Sequence, residues 1–381
     1  MHGSELGAGT REARFWRRLA DGRIRCELCP RFCRLREGQR GLCFVRARRG
    51  DRLVLETWGR ASGFCIDPVE KKPLFHFLPG TPVLSFGTAG CNLACRFCQN
   101  WDISKARDLD RLQEAATPEE IAEAAAATGC RAVAYTYNDP VIFLEYALEV
   151  AASCRARGIR NVAVTAGYVR AEPRAEFFAA MDAANIDLKA FTEAFYRRIC
   201  GGHLEPVLET IAHVARETDC WLELTTLLIP GHNDSDAEIE RLCAWVLEHA
   251  GADVPLHFTA FHPDWKMRDV PPTPPATLRR AREIARRVGL RFVYVGNVRD
   301  EEAESTFCPG CGARVIGRDR YRLTHWALEA EGRCRACGTR IPGVFEPRPG
   351  TWGPRRAVVD MAAFRGIPPE PAAAGLSTGD P

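Results

Sequence analysis

No stretch of this sequence reaches the ~18 uncharged apolar residues that would span a bilayer. Its first residues, MHGSELGAGTREARFW, have no apolar core and carry Glu5, so they do not read as a secretory leader. These absences lead to the expectation of a soluble, cytoplasmic protein without membrane partners. Charge of one sign is lacking too. The 52 Lys and Arg residues face 49 Asp and Glu, which leaves a net charge of +3. No overall field therefore demands nucleic acid, although RNA contact stays open. Lysine is scarce beside arginine, which makes the placement of Lys189 mildly informative.

Cysteine, by contrast, is abundant. Seventeen cysteines in 381 residues would be odd as disulfides in a reducing compartment, and their spacing is clustered, which points to metal. The groups are Cys26, Cys29, Cys33 and Cys43 near the start, Cys91, Cys95 and Cys98 in the middle, and Cys308, Cys311, Cys334 and Cys337 near the end. The remaining cysteines are isolated and read as packing residues, with Cys200 in RRICGG a candidate for facing a substrate.

Between the second and third groups, the apolar runs PVLSFG, AVAYTY, NVAVTA, ANIDL, WLELTTLL, PLHFTAF and RFVYV alternate with longer amphipathic stretches. This pattern predicts β/α units on a parallel sheet. One intervening helix carries its own punctuation: Thr117 as N-cap, Pro118 in the first turn, Glu120 completing a capping box and Gly129 as terminator. At 46% hydrophobic, the chain can bury one large core with small modules attached. The expected division is a Cys-rich segment over 1–75, a β/α barrel over 76–300, a four-cysteine metal ribbon over 301–345 and a disordered tail over 346–381, where Pro, Gly and Ala dominate.

In such a barrel the loops after the strands carry the chemistry. The first of them reads GTAGCNLACRFCQNW, and its three thiols within eight residues can hold an iron–sulfur cube with one iron open. A zinc knuckle lacking its fourth ligand, or a chance cluster of buried thiols, is the plainer alternative. The segment CNLACRFC resembles the C-x3-C-x2-C signature of the radical S-adenosylmethionine (SAM) superfamily, including the aromatic residue before the third cysteine. The wider text DPVEKKPLFHFLPGTPVLSFGTAGCNLACRFCQNWDIS is similar to the radical SAM member of the AmmeMemoRadiSam system, a relative of the pyruvate formate-lyase activating enzymes.

That resemblance implies an incomplete, TIM-like parallel β/α barrel. Cys91, Cys95 and Cys98 would hold a [4Fe–4S] cluster whose open iron is chelated by SAM. A reductant such as ferredoxin or flavodoxin would supply the electron that cleaves SAM to a 5′-deoxyadenosyl radical, which abstracts hydrogen from a substrate. In AYTYNDP, Asn138 and Asp139 stand where relatives have an acidic motif that receives the SAM amine, Asp139 replacing the usual Glu. Read plainly, they are a turn before a helix. VTAGY resembles TNGY with Ala166 replacing Asn, and implies that Thr165 and Gly167 adjoin SAM, Gly167 by allowing close backbone approach. In NIDLKAF, Asp187 and Lys189 point the same way because strand side chains alternate. Lys189 would attract the SAM carboxylate, and a structural ion pair is the alternative. Glu223, His257, His262 and Asn297 follow later strands, the histidines being more often hydrogen-bonded core residues than ligands.

The paired knuckles Cys308-x2-Cys311 and Cys334-x2-Cys337 read as a four-thiolate site of zinc-ribbon type, taking zinc or, as in rubredoxin, iron. For Cys26, Cys29, Cys33 and Cys43, zinc and an auxiliary iron–sulfur cluster are both open. Family analogy points to installing a glycyl radical on a partner enzyme, with radical modification of a peptide, RNA base or metabolite as the alternative. A metal-binding scaffold that has lost catalysis is a reading of another class, suggested by the departures at Asp139 and Ala166. The AmmeMemoRadiSam likeness also implies Memo-like and AMMECR-like partners; the substrate is not identified, and a macromolecular one stays open.

Overall fold

The computed structural model describes residues 9–106 and 114–366. Residues 1–8 and the end of the expected tail, 367–381, lie outside the described residues.

Seven parallel strands follow one another in chain order: β1 (Pro82–Gly87), β2 (Ala132–Tyr135), β3 (Arg160–Thr165), β4 (Ala183–Asp187), β5 (Trp221–Leu228), β6 (Leu256–Ala260) and β7 (Val293–Gly296). Each falls on one of the apolar runs. Helices Pro118–Ala127, Leu144–Ala156, Ala171–Ala179, Glu205–Glu217, Asp236–His249 and Pro275–Val288 make the six crossovers in turn. Every residue of β2 is buried, as expected of a parallel strand covered on both faces, which is why it reads as a continuous apolar run. The capping box forms as the sequence predicts: the Glu120 amide donates to Thr117 Oγ1 at 3.2 Å, and the Thr117 amide donates to the Glu120 carboxylate at 2.8 Å.

Among the described residues the sheet does not close. It ends at β7 on one side, and on the other β1 pairs antiparallel with strand Arg60–Pro68, which in turn pairs with Ala357–Val358. The architecture is an incomplete parallel β/α barrel, as the sequence predicts.

Two boundaries differ from the expected division. Strand Arg60–Pro68 falls inside the expected N-terminal segment, yet it belongs to the barrel sheet, with Asp67 opposite Val83. Residues 346–366, expected in a disordered tail, return to the barrel instead. Gly350 and Trp352 donate backbone hydrogen bonds to Pro79 and Gly80, Ala357 pairs with Ile66, and Met361 is fully buried. These anchors are isolated and mostly backbone-made, so they leave no periodic signal in the side chains.

Two small antiparallel sheets precede the barrel. After it, Thr306–Phe307, Arg314–Asp319 and Arg322–Trp326 form a three-stranded sheet beside the last four clustered cysteines. Its small core, with Val315, Ile316, Leu328 and Ile341, includes Phe75 and Tyr294 from the barrel region. Arg318 is fully buried there and donates to the Phe75 carbonyl at 2.6 Å. Glu223 on β5 secures the same junction, accepting from the Phe75 and His76 amides, Trp221 and His257 at 2.7–3.0 Å.

Candidate active site

The carboxyl ends of the strands enclose a cavity of about 300 Å³. Its wall includes Cys91, Cys95 and Cys98 from the loop after β1, Asn138 and Asp139 after β2, Thr165 from β3, and Asp187 and Lys189 at the end of β4. Residues separated by about a hundred positions thus meet in one space, because each sits where its strand hands over to a loop.

Several contacts hold the cysteine loop in place. Asn138 accepts from the Thr88 amide at 3.2 Å and donates to the Gly90 carbonyl at 2.8 Å. From the other side, the amides of Ala94 and Arg96 donate to the carbonyls of Cys200 and Ile199 at 2.8 and 2.9 Å. Gly202 allows this approach, since a Cβ there would lie 2.7 Å from Leu93 Cδ2. Lys105 donates to the Leu93 carbonyl at 2.8 Å, and the Ser104 hydroxyl lies 3.0 Å from Cys98 Sγ.

The three thiols differ in acidity. Burial pushes Cys91 up to about 11 and raises Cys98. A hydrogen bond with the Cys200 thiol pulls Cys95 down to about 7, helped by the positive charges of Lys189 and Lys105. Cys200 therefore packs against a cluster-loop thiol rather than facing a substrate.

Asp139 is almost wholly buried. One carboxylate oxygen accepts from the Val141 amide at 3.1 Å and the Thr165 hydroxyl at 3.0 Å, and the other from the Ala166 amide at 3.2 Å. It is thus both a helix cap and a wall of the cavity, and its second oxygen keeps a lone pair for a further donor. Burial raises its carboxyl to about 6. Lys189 forms an ion pair with Asp187 at 2.7 Å, and the Asp187 charge keeps the lysine cationic despite its burial. Thr225 Oγ1, also on the wall, is buried without a hydrogen-bond partner.

Gly167 does not do what was expected of it. It adopts φ +64°, and its missing side chain faces Ile186 and Thr210 rather than the cavity; a Cβ there would lie 3.0 Å from Ile186. The left-handed backbone and the packing against Ile186 both call for a glycine here. The substitution at Ala166 removes a side chain, but its backbone amide still reaches Asp139.

Sequence reasoning missed Lys71, Ser104, Lys105 and Thr225 in this wall. The scarcity of lysine was the available signal. Of the five lysines in the chain, Lys71, Lys105 and Lys189 all line the cavity. A second cavity of about 350 Å³ shares Lys71, Pro73, Gln99, Thr259 and Asn297 with the first. His257 and His262 both reach it, together with Glu70, Glu304 and Arg320. His257 is spent on Glu223 at 2.7 Å, whereas His262 is exposed.

The two outer cysteine groups differ. Among the described residues, Cys308, Cys311, Cys334 and Cys337 gather their sulfurs within 4.8 Å of one another. The pairs Cys308–Cys337 and Cys311–Cys334 are 3.5 and 3.8 Å apart. Such a cage could hold one metal ion, since four bonds of about 2.3 Å to a tetrahedral zinc put the sulfurs about 3.8 Å apart. The N-terminal four line a separate small cavity.

Residues 86–243 match the family profile described as the Radical SAM superfamily. The uncharacterized protein MJ0808 of Methanocaldococcus jannaschii is 41% identical over 332 residues, which cover 87% of this chain and 98% of that protein. Among solved structures, a domain of pyruvate-formate lyase-activating enzyme from Bacteroides vulgatus aligns over 44% of this chain and 99% of that domain, with 19% identity and a TM-score of 0.39. A radical SAM methyltransferase from Sphaerobacter thermophilus aligns over 76% and 77% of the two chains, with 14% identity and a TM-score of 0.46. Streptococcus suis SuiB bound to S-adenosylmethionine aligns over 60% and 53%, with 14% identity and a TM-score of 0.45. With the family profile starting in β1 and running through the cysteine loop and the ends of β2 to β5, the chain belongs to the radical SAM superfamily and is a radical SAM enzyme.

Proposed function

We propose that Cys91, Cys95 and Cys98 hold a [4Fe–4S] cluster in the 300 Å³ cavity, and that SAM binds beside it with its methionine end between Asp139 and Lys189. When bound, the cluster supplies the electron that cleaves SAM reductively to methionine and a 5′-deoxyadenosyl radical. The observation that carries this reading is the convergence of three thiols, an incompletely used carboxylate and a buried lysine on one space. The unpartnered Thr225 hydroxyl on that wall fits a ligand with polar atoms, since buried hydroxyls are rarely left unpaired.

In this reading the protein's own groups bind and orient. Asp139 offers its remaining lone pair to the SAM amine as a charge-assisted hydrogen bond. Lys189, kept cationic by Asp187, faces the SAM carboxylate. Asn138 acts one step back, fixing the loop that carries the thiols through Thr88 and Gly90. Gly167 supports the same region by packing alone.

Hydrogen abstraction then falls on a group presented from the adjoining 350 Å³ cavity. Glu70, His262, Glu304 and Arg320 on its wall suit a polar moiety, whether a small molecule or one residue of a larger partner. Resemblance to the activating enzymes favours a glycyl radical on a partner protein, and resemblance to the AmmeMemoRadiSam member favours Memo-like and AMMECR-like proteins as companions. Ferredoxin or flavodoxin would provide electrons, zinc would fill the C-terminal cage, and the cytoplasm would be the site of action. Among the described residues no helix is long and apolar enough to cross a membrane.

The test is anaerobic reconstitution of the full chain with iron and sulfide, followed by SAM and a reductant. Formation of 5′-deoxyadenosine is expected. A fully loaded protein that leaves SAM intact would defeat the proposal.

A further inference from the structure

The N-terminal cysteines have no part in the site just described, yet they are not scattered. Cys26, Cys29, Cys33 and Cys43 line one small cavity of about 20 Å³, with Arg31, Arg46 and Asn92 also on its wall. A Cβ added to Gly41 would lie 3.6 Å from both Cys33 Sγ and Cys43 Sγ, so those two sulfurs face the same space.

The arrangement differs from the C-terminal cage in two ways. Among the described residues it is the C-terminal four whose sulfurs all fall within 4.8 Å, and the N-terminal four are not gathered so tightly. They also surround a void. A water-sized space needs roughly 10–15 Å³, and four thiolates clasping one ion at about 2.3 Å leave no such space between them. A cube that assigns each thiolate to a different iron needs the wider spacing.

The wall also bears an arginine with one guanidinium nitrogen unmatched. Arg31 Nη2 is buried without a hydrogen-bond partner, while the neighbouring Arg46 is matched by Glu145, to which it donates at 2.6 Å. An unpaired guanidinium edge beside four thiols suits an anionic group, because buried donors left unmatched are costly.

The cavity is also tied to both flanks of Cys91. On one side, Arg31 Nε donates to the Asn92 carbonyl at 2.8 Å. On the other, Gly90, at φ +84°, packs so closely on the Cys43 carbonyl that a Cβ would lie 1.9 Å from its oxygen. The Cys43 backbone and the Arg31 side chain thus touch the residues immediately before and after a thiol of the cysteine loop.

We propose that Cys26, Cys29, Cys33 and Cys43 hold a second [4Fe–4S] cluster, fully ligated by protein, that passes single electrons to the cluster on Cys91, Cys95 and Cys98. One electron enters from a low-potential protein carrier of the ferredoxin or flavodoxin class, which is oxidised by one electron, and one electron leaves for the catalytic cluster. No bond forms or breaks at the second cluster and no proton moves. With four thiolates and no open iron it does not bind SAM. The relay rests on the radical SAM reading above, whereas the cluster's nuclearity does not.

The experiment compares three full-length proteins after anaerobic iron–sulfide reconstitution: wild type, the triple variant Cys91→Ala/Cys95→Ala/Cys98→Ala, and the double variant Cys29→Ser/Cys43→Ser. Metal analysis and electron paramagnetic resonance should find about eight irons in the wild type and about four in each variant. The reduced signal of the triple variant should ignore SAM, and that of the double variant should respond to it. A triple variant that carries no iron, with one zinc more than the C-terminal cage accounts for, overturns the cluster. For the relay, 5′-deoxyadenosine formation by the double variant should fall at least about tenfold with a protein electron donor but less than about threefold with dithionite, which reduces the catalytic cluster directly. Equal losses with the two reductants overturn the relay. A wild type whose iron signal ignores SAM would count against the proposed function instead, and the iron content of the triple variant would still decide the second cluster.

Discussion

The C-terminal cage and the central cysteine loop use the same ligand atom for opposite ends. At the cage, four sulfurs crowd within 4.8 Å, two of the cysteines are exposed, and the Thr339 hydroxyl lies 3.2 Å from Cys337 Sγ. At the loop, three sulfurs open onto a 300 Å³ cavity whose wall also holds Asp139, Asp187, Lys105 and Lys189. A saturated, compact thiolate set is complete once it holds an ion, and what it offers the protein is folding energy. An unsaturated set surrounded by charged groups leaves a coordination site and supplies the means to fill it. Ligand count and neighbourhood, rather than cysteine content, separate a staple from a reaction centre.

The comparison breaks most sharply at the loop itself. Replacing Cys91, Cys95 and Cys98 by Ala should abolish 5′-deoxyadenosine formation while the C-terminal cage keeps its metal. Product above background in that variant, by chromatography, would remove the loop from the chemistry. Replacing Cys308 and Cys334 by Ser should do the converse. One metal ion per chain should be lost, and the melting temperature should fall by several degrees, since about 1 kcal/mol already moves a large domain by about 2–4 °C. Calorimetry beside metal analysis checks this, and an unchanged melting temperature would deny the staple role.

Smaller effects should appear at the groups around SAM. Asp139→Ala and Lys189→Ala should each weaken SAM binding about ten- to a hundredfold, the equivalent of a charge-assisted hydrogen bond of roughly 1.5–3 kcal/mol, with iron content preserved. The Asp139 effect has a pH signature. Burial raises its carboxyl to about 6, above the usual 3.8, so below that value it is protonated and loses the charge that strengthens its hydrogen bond to the amine. Affinity should therefore fall as pH drops through about 6, and Asp139→Asn should flatten the profile. Calorimetric titration across pH 5–8 that gives the same profile for both proteins would return Asp139 to its role as a helix cap.

The smallest effect is expected at Gly167→Ala, which forces a side chain into φ +64° and against Ile186. It should cost stability by about 1–2 kcal/mol, with SAM affinity nearly unchanged. Denaturant unfolding beside SAM titration distinguishes this from a ligand contact.

Much of this architecture was legible in the sequence, and the legible parts share a cause. The strands are buried on both faces, so they appear as apolar runs such as AVAY, which coincides with β2. The loop thiols are close in sequence because they must be close in space. What escaped notice depends on backbone or on distant partners. Cys200 meets Cys95 because carbonyls at Ile199 and Cys200 grip the loop, and carbonyls are the same in every residue. Residues 346–366 return through backbone pairs and the single anchors Val359 and Met361, which no periodicity announces. Gly167 was legible as a required glycine, but the reason lay in Ile186 and Thr210, on other elements.

The central thiols, unlike the C-terminal ones, should leave a metal position open for SAM. Electron paramagnetic resonance of the reduced, reconstituted wild type with and without SAM tests this most directly. The account predicts that SAM shifts the spectrum of one cluster, and that this shift alone disappears when Cys91, Cys95 and Cys98 are replaced. A spectrum that stays the same at SAM concentrations where calorimetry shows the site filled would contradict it.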